Sequence, residues 1–138
     1  MTERTPDSQR LRPHPEHRFA PEQIQIDLPA AIERLRTESP AGEAGHRQET
    51  LYRNCGSTVA LFLFERFTNL PEHKTRGVVI IHALSGRLKV DAAGQVHELG
   101  AGQMLVLAPN VPHSVAAEEE SEMLLSVHLA MDQQSTPD

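Results

Sequence analysis

The chain has one cysteine, no tryptophan, one tyrosine and no apolar stretch long enough to cross a bilayer. Each shortage removes a class of protein. A single thiol, Cys55, rules out an intrachain disulfide framework and suits a reducing compartment, so a cytoplasmic location is expected. The longest apolar run, from Val78 to Leu84, contains His82 and falls far short of the roughly 20 residues a spanning helix needs. No membrane partner is expected. The polar start Met1-Thr2-Glu3-Arg4 is not followed by an apolar segment, so no signal peptide is expected either. With aromatic residues at only 4%, little surface exists on which bases or sugars could stack. Basic residues are outnumbered, 13 against 19 acidic ones, and the net charge of −6 argues against a nucleic-acid partner.

What is present is a chain of 138 residues, enough for one domain with a sizeable core. Residues 1–23 hold several prolines and charges, with His14 and His17, and show no apolar period; they read as a disordered arm. Residues 24–48 hold a helix and a loop. The helix starts at Asp27, a suitable N-cap, with Pro29 in its first turn and Leu28, Ile32 and Leu35 on one face. From residue 49 to 131 the signals are those of strands. Thr50–Tyr52, Thr58–Phe67, Val78–Leu84, Leu88–Asp91, Gln95–Leu99, Met104–Ala108, Ser114–Ala117 and Met123–Leu129 are short runs separated by turn residues. Asn69–Gly77 reads as a connection, and 132–138 as a polar tail. Such strand spacing points to an all-β sandwich or barrel.

Two histidines, His73 and His113, each stand at the end of a strand-like run. In a barrel that placement can bring both imidazoles to one mouth. His73 opens the segment His73-Lys74-Thr75-Arg76-Gly77, and His113 closes Pro109-Asn110-Val111-Pro112-His113. Residues 50–130 resemble the small single-domain cupins, of the RmlC-like jelly-roll kind. That family's first motif sets a leading glycine, two histidines, a glutamate and a closing glycine. His73 and Gly86 fall on the first histidine and the closing glycine, while Phe67, Thr75 and Val79 hold the leading glycine, second histidine and glutamate positions. Of the second motif, Gly102 and His113 match; Ala108, Asn110 and Ala117 stand where the family has proline, glycine and asparagine. Asparagine tolerates left-handed backbone almost as glycine does. The His73-Lys74-Thr75 stretch resembles an uncharacterised subgroup of small bacterial cupins in which the second histidine is lost.

The resemblance implies a single jelly-roll barrel with a short N-terminal helix. It also implies a site for one divalent ion (Fe, Mn, Ni or Zn) held by three histidines and a glutamate, of which His73 and His113 remain. A third ligand then has to come from elsewhere. His82 is the candidate, three residues beyond the glutamate position. Strand alternation sets residues 79 and 82 on opposite faces unless Gly77 shifts the phase, and the run is apolar on both sides, so both directions stay open. Thr75 can hydrogen-bond a ligand but is a poor metal donor. Lys74 and Arg76 can attract an anion to the barrel mouth. His128 and His97 read as surface residues, and His14, His17 and His46 as incidental. Cys55 has no basic neighbour in sequence and reads as a buried structural thiol. Ser114 follows His113 directly, and adjacent strand residues face apart, so no nucleophile–base pair is expected.

Three functions follow. The first is a small-molecule-binding protein without catalysis, its cavity lined by His73, Thr75, His82 and His113. The second is a metal-dependent dioxygenase or isomerase using His73, His113 and His82. The third is an interaction protein working through its N-terminal arm. A homodimer is expected, because the two-sided apolar run 78–84 needs cover on both faces.

Overall fold

Alternating burial along the strands sorts the side chains into two layers. The computed structural model describes residues 20–38, 42 and 45–129; the expectations for residues 1–19 and for the tail lie outside them. These residues form one helix, α1 (Leu28–Glu38), and nine strands. The strands are β1 (His46–Asn54), β2 (Ser57–Phe64), β3 (Thr68–His73), β4 (Val78–Ser85), β5 (Arg87–Ala92), β6 (Gln95–Gly100), β7 (Met104–Leu107), β8 (His113–Ala117) and β9 (Ser121–His128). They make two antiparallel sheets, ordered β1-β2-β9-β4-β7 and β3-β8-β5-β6. This is the all-β arrangement expected from the strand spacing and the jelly-roll that the resemblance implies.

The core lies between the sheets. Phe62, Phe64, Val79, Ile81, Ala83 and Met123 of the larger sheet meet Leu88, Val90, Val115 and Ala117 of the smaller. The intervening residues of β2 turn the other way: Leu61 and Leu63 pack with Ala31 and Leu35 of α1. The helix therefore covers the outer face of the larger sheet over β1 and β2. Its start is set by Asp27, whose Oδ1 accepts from the Ala30 amide at 3.0 Å. Arg34 with Glu49 (2.9 Å) and Arg36 with Glu122 (2.6 Å) tie it to the sheet. Half-exposed pairs of this kind add at most about 1 kcal/mol each, so burial of Ala31 and Leu35 does most of the docking.

Two local expectations are corrected. Thr68–His73 is a strand, although Asn69 and Pro71 read as a connection. It lies at the edge of the smaller sheet, where a proline's missing donor leaves no ladder bond unmade. Cys55 is exposed, not buried. It occupies the β1–β2 hairpin with Gly56, at φ +45° and +90°, a primed turn that points its side chain to solvent. Phe67, at the leading glycine position, keeps the left-handed backbone a glycine would take, with φ +61°, and is 74% exposed.

Candidate functional site

His113 reaches the inside of the barrel by simple alternation. His113, Val115 and Ala117 are buried along β8, and Val115 and Ala117 belong to the core. His113 is only 2% exposed. His73 gets there by a different route. Leu70 pairs with Val115, so a regular ladder would bring residue 72 opposite His113; a bulge between Leu70 and His73 brings His73 there. One additional residue re-aims the side chain, as bulges commonly do. The two rings then lie with centroids 4.4 Å apart and planes at 59°.

Both rings are held in the same way. His73 Nδ1 lies 3.1 Å from the Pro71 carbonyl, and His113 Nδ1 lies 2.9 Å from the Val111 carbonyl. A carbonyl oxygen only accepts, so each Nδ1 carries the proton. In the neutral rings the lone pair is then on Nε2, and no side chain or main-chain group among the described residues occupies it. Among those residues the only fully buried side-chain nitrogen or oxygen without a partner is His46 Nδ1. The His113 Nε2 is not among these fully buried atoms without a partner, although its residue is buried. An imidazole fixed through one nitrogen with the other free is the arrangement that serves ligand or metal binding.

Thr75 holds the wall of this mouth. Its Oγ1 accepts from the Gly77 amide at 2.8 Å, and its carbonyl accepts from the Asn110 amide at 2.7 Å. Asn110 is at φ +68°, the conformation expected of the residue at the glycine position. One residue thus joins the loop after His73 to the corner before His113. Thr75 thus braces the mouth, with a hydroxyl oxygen that accepts a backbone proton and a hydroxyl proton left for a ligand.

His82 leaves the candidate set. Val79, Ile81 and Ala83 face the core, whereas His82 alternates with them and falls on the outer face beside Leu84, which packs toward α1. Pairing of β4 with β7 and β9 is regular through His82, so Gly77 introduces no change of phase. Gly77 instead permits a close approach. A Cβ there would stand 2.6 Å from the His128 carbonyl oxygen, so only glycine lets the loop pass β9. His128 is exposed and shares a 3.1 Å hydrogen bond with Ser57. His97, expected at the surface, is half-buried opposite Val90.

His46, incidental by its place in the sequence, is the histidine most altered by the fold. It pairs with Phe64 on the inner face of β1, with its ring 5.8 Å from that of Phe62 and 6.0 Å from that of Phe64. Its Nε2 lies 3.2 Å from Gln48 Oε1. His46 sits at the opposite end of the barrel from the pair, since β2 places Phe64 opposite Ser121 and β3 runs from Thr68 up to His73.

The resemblance implies a divalent ion, and the residues present do not complete a site for one. Two Nε2 donors are available, but among the described residues no group of three or more His, Cys, Asp or Glu comes together. His82 faces away, and Thr75 and Val79 stand where ligands would be.

A profile of the cupin domain matches residues 60–129, half of the chain. No curated protein matches. Among solved structures, the chain is similar to an RmlC-like cupin from Shewanella frigidimarina (TM-score 0.62, 16% identity, covering 72% of this chain and 91% of that one). It is similar to KdgF from Halomonas (TM-score 0.59, 18% identity, covering 68% and 88%). It also resembles a mutant salicylate 1,2-dioxygenase from Pseudoaminobacter salicylatoxidans (TM-score 0.67, 16% identity), covering 86% of this chain but 39% of that one.

Proposed function

The chain belongs to the cupin family, and we propose that it binds a small molecule at the barrel mouth, on the imidazoles of His73 and His113, without converting it. The observation that carries this reading is the matched pair of Nδ1–carbonyl hydrogen bonds, which leaves Nε2 without a partner among the described residues on each of two rings whose centroids are 4.4 Å apart. Leu70 and Val111 pack against the core beside them. A few convergent polar atoms on an apolar surround are the usual make-up of a small-molecule site. Ligands that present hydroxyl or N–H donors to both Nε2 atoms suit it.

A second reading is an enzyme of the dioxygenase or isomerase type, working with Fe, Mn, Ni or Zn. It draws on the similarity to a dioxygenase, but it needs metal ligands beyond His73 and His113. A thermal-shift screen of a metabolite library against the wild type, His73→Ala and His113→Gln separates the two. We expect a binder whose shift disappears in both variants and which is recovered unchanged after incubation. A binder indifferent to both substitutions would move the site elsewhere, and a consumed binder would favour the enzyme.

We also place a second copy of the chain on the outer face of the larger sheet. There Met104 and Val106 are 52% and 58% exposed next to Ile80, His82 and Leu124, beyond the reach of α1. Sedimentation as a monomer at micromolar concentration would overturn that assembly. Among the described residues no helix is long and apolar enough to cross a membrane. The free thiol of Cys55 supports placement in a reducing cytoplasm.

A further inference from the structure

Free lone pairs on two rings reject one kind of ligand group and select another. His73 and His113 hold their protons on Nδ1, against the Pro71 and Val111 carbonyls, so each Nε2 accepts and neither donates. A carboxylate oxygen set on this pair would face only acceptors; a hydroxyl or an N–H would find its partner there. Thr75 decides between these two. Its Oγ1 accepts from the Gly77 amide and keeps its own proton to give. A ligand hydroxyl both donates to an imidazole and accepts from Thr75, whereas an N–H only donates.

Strand pairing carries the site further across the smaller sheet. His73 lies opposite His113, His113 opposite Ala92 and Ala92 opposite Gln95, so one residue from each of four strands falls in a single row. Residues directly opposite each other share a face of the sheet. Ala92 belongs to the core, which puts Gln95 on the inner side as well. Gln95 is exposed, two strand spacings (about 10 Å) from His113, with only the methyl group of Ala92 between them. Its amide both donates and accepts.

The rim sets the charge of the ligand. Lys74 and Arg76 are exposed on the loop that follows His73, and neither takes part in an ion pair among the described residues. Glu72, exposed in the same segment, offsets only one of them. Glu118, Glu119 and Glu120 follow the other end of β8 from His113. An anion is therefore drawn to the mouth and away from that turn, and an amine is turned away from the mouth. We propose that the site takes, without metal, a small hydroxy acid. Its hydroxyls meet the two Nε2 atoms and Thr75, a hydroxyl further along reaches Gln95, and its carboxylate faces Lys74 and Arg76. This rests on the small-molecule reading of the site and names its ligand class.

The experiment is titration calorimetry on the full-length protein, with EDTA present throughout and the probes at millimolar concentration. Glycerate, threonate and gluconate are each set beside a polyol of equal length (glycerol, threitol, sorbitol) and a plain acid of equal length (propionate, butyrate, hexanoate). At least one hydroxy acid should bind about tenfold or more tightly than both of its matched compounds, since each lacks one half of the hydrogen-bonding and charged contacts. His73→Ala should abolish that binding. Lys74→Ser/Arg76→Ser should lower the hydroxy acid to the level of its polyol and leave the polyol unchanged, a split that a merely structural effect would not give. Gln95→Ala should weaken gluconate and spare glycerate, which is too short to reach it; His82→Ala should change neither. A polyol or a plain acid that binds as tightly as the matched hydroxy acid overturns the proposal. So does hydroxy-acid binding that survives His73→Ala, or the failure of all three hydroxy acids to bind in EDTA. Gluconate binding indifferent to Gln95→Ala would overturn the extension across Ala92. If the thermal-shift screen finds other compounds whose binding depends on His73, only the hydroxy-acid inference falls; if it finds none, the small-molecule reading falls too.

Discussion

His73 and His82 lie nine positions apart on consecutive strands, and they end on opposite sides of the barrel wall. β3 carries a bulge that turns His73 to the inner face, where it meets His113. β4 is regular through residue 82, so His82 keeps the outward phase set by Val79 and Ile81. Neither imidazole has a more suitable chemistry than the other. Register alone separates a site residue from a surface one, because a shift of one residue exchanges the two faces of a strand.

The sharpest way to break this comparison is to truncate neighbouring residues of β4. Ile81 is completely buried in the core, and Ile80 is half-buried on the outer face. Ile81→Ala should cost about 3–5 kcal/mol in urea denaturation and Ile80→Ala about 1–2 kcal/mol, since only the first opens a cavity between the sheets. Equal losses would mean that the outer face is covered as tightly as the core.

Next come the two site histidines. His113→Ala removes a buried ring and its hydrogen bond to the Val111 carbonyl, and should destabilise the fold by about 2–3 kcal/mol. His73 is exposed, and His73→Ala should change stability by no more than about 0.5 kcal/mol while still removing ligand binding. The same denaturation series measures both. A large loss for His73→Ala would assign that residue a structural role.

Gly77→Ala probes the loop between the compared strands. Its Cβ would meet the His128 carbonyl oxygen at 2.6 Å, and backbone must move to admit it. A loss of about 1–3 kcal/mol is expected, together with displaced amide signals from His128 and Leu129 in a nitrogen–proton correlation spectrum.

The smallest effect belongs to the outward side of β5. Lys89 alternates with buried Leu88 and Val90 and lies 2.9 Å from Glu118. The hydrogen bond and charge of Glu118 raise the Lys89 pKa above its ordinary 10.5. Because the folded value is raised, the contribution of this pair is fully present below 10.5 and fades as pH climbs through the folded value. Denaturation midpoints followed into the alkaline range should show that decline in the wild type and less of it in Glu118→Gln. A steeper decline in Glu118→Gln would contradict the sign.

Much of the barrel is legible from one chain because strands bury alternate residues and turns need particular ones. Ala92-Ala93-Gly94 predicts the β5–β6 hairpin, and Ala93 and Gly94 indeed hold φ +52° and +87°. Asp27 predicts the start of α1 and caps it. β3 is not legible, because Pro71 and Asn69 are poor strand formers and only an edge position tolerates them. The direction of His82 is not legible either, since Val78–Leu84 is apolar on both faces: one face fills the core and the other meets α1 and the open side of the sheet. His46 reads as incidental because its partners, Phe62 and Phe64, are brought beside it only by pairing of β1 with β2.

Composition and periodicity were sufficient for the all-β class and the capped helix, because these follow from local backbone preference and burial every second residue. The 4.4 Å approach of the two rings, their common tautomer, the loss of His82 from the site and the bracing by Thr75 and Asn110 came from tertiary structure. The physical reason is that a bulge, a cross-sheet register and a loop-to-loop hydrogen bond are relations between distant segments, and no local pattern encodes which residue of one strand will face which residue of another.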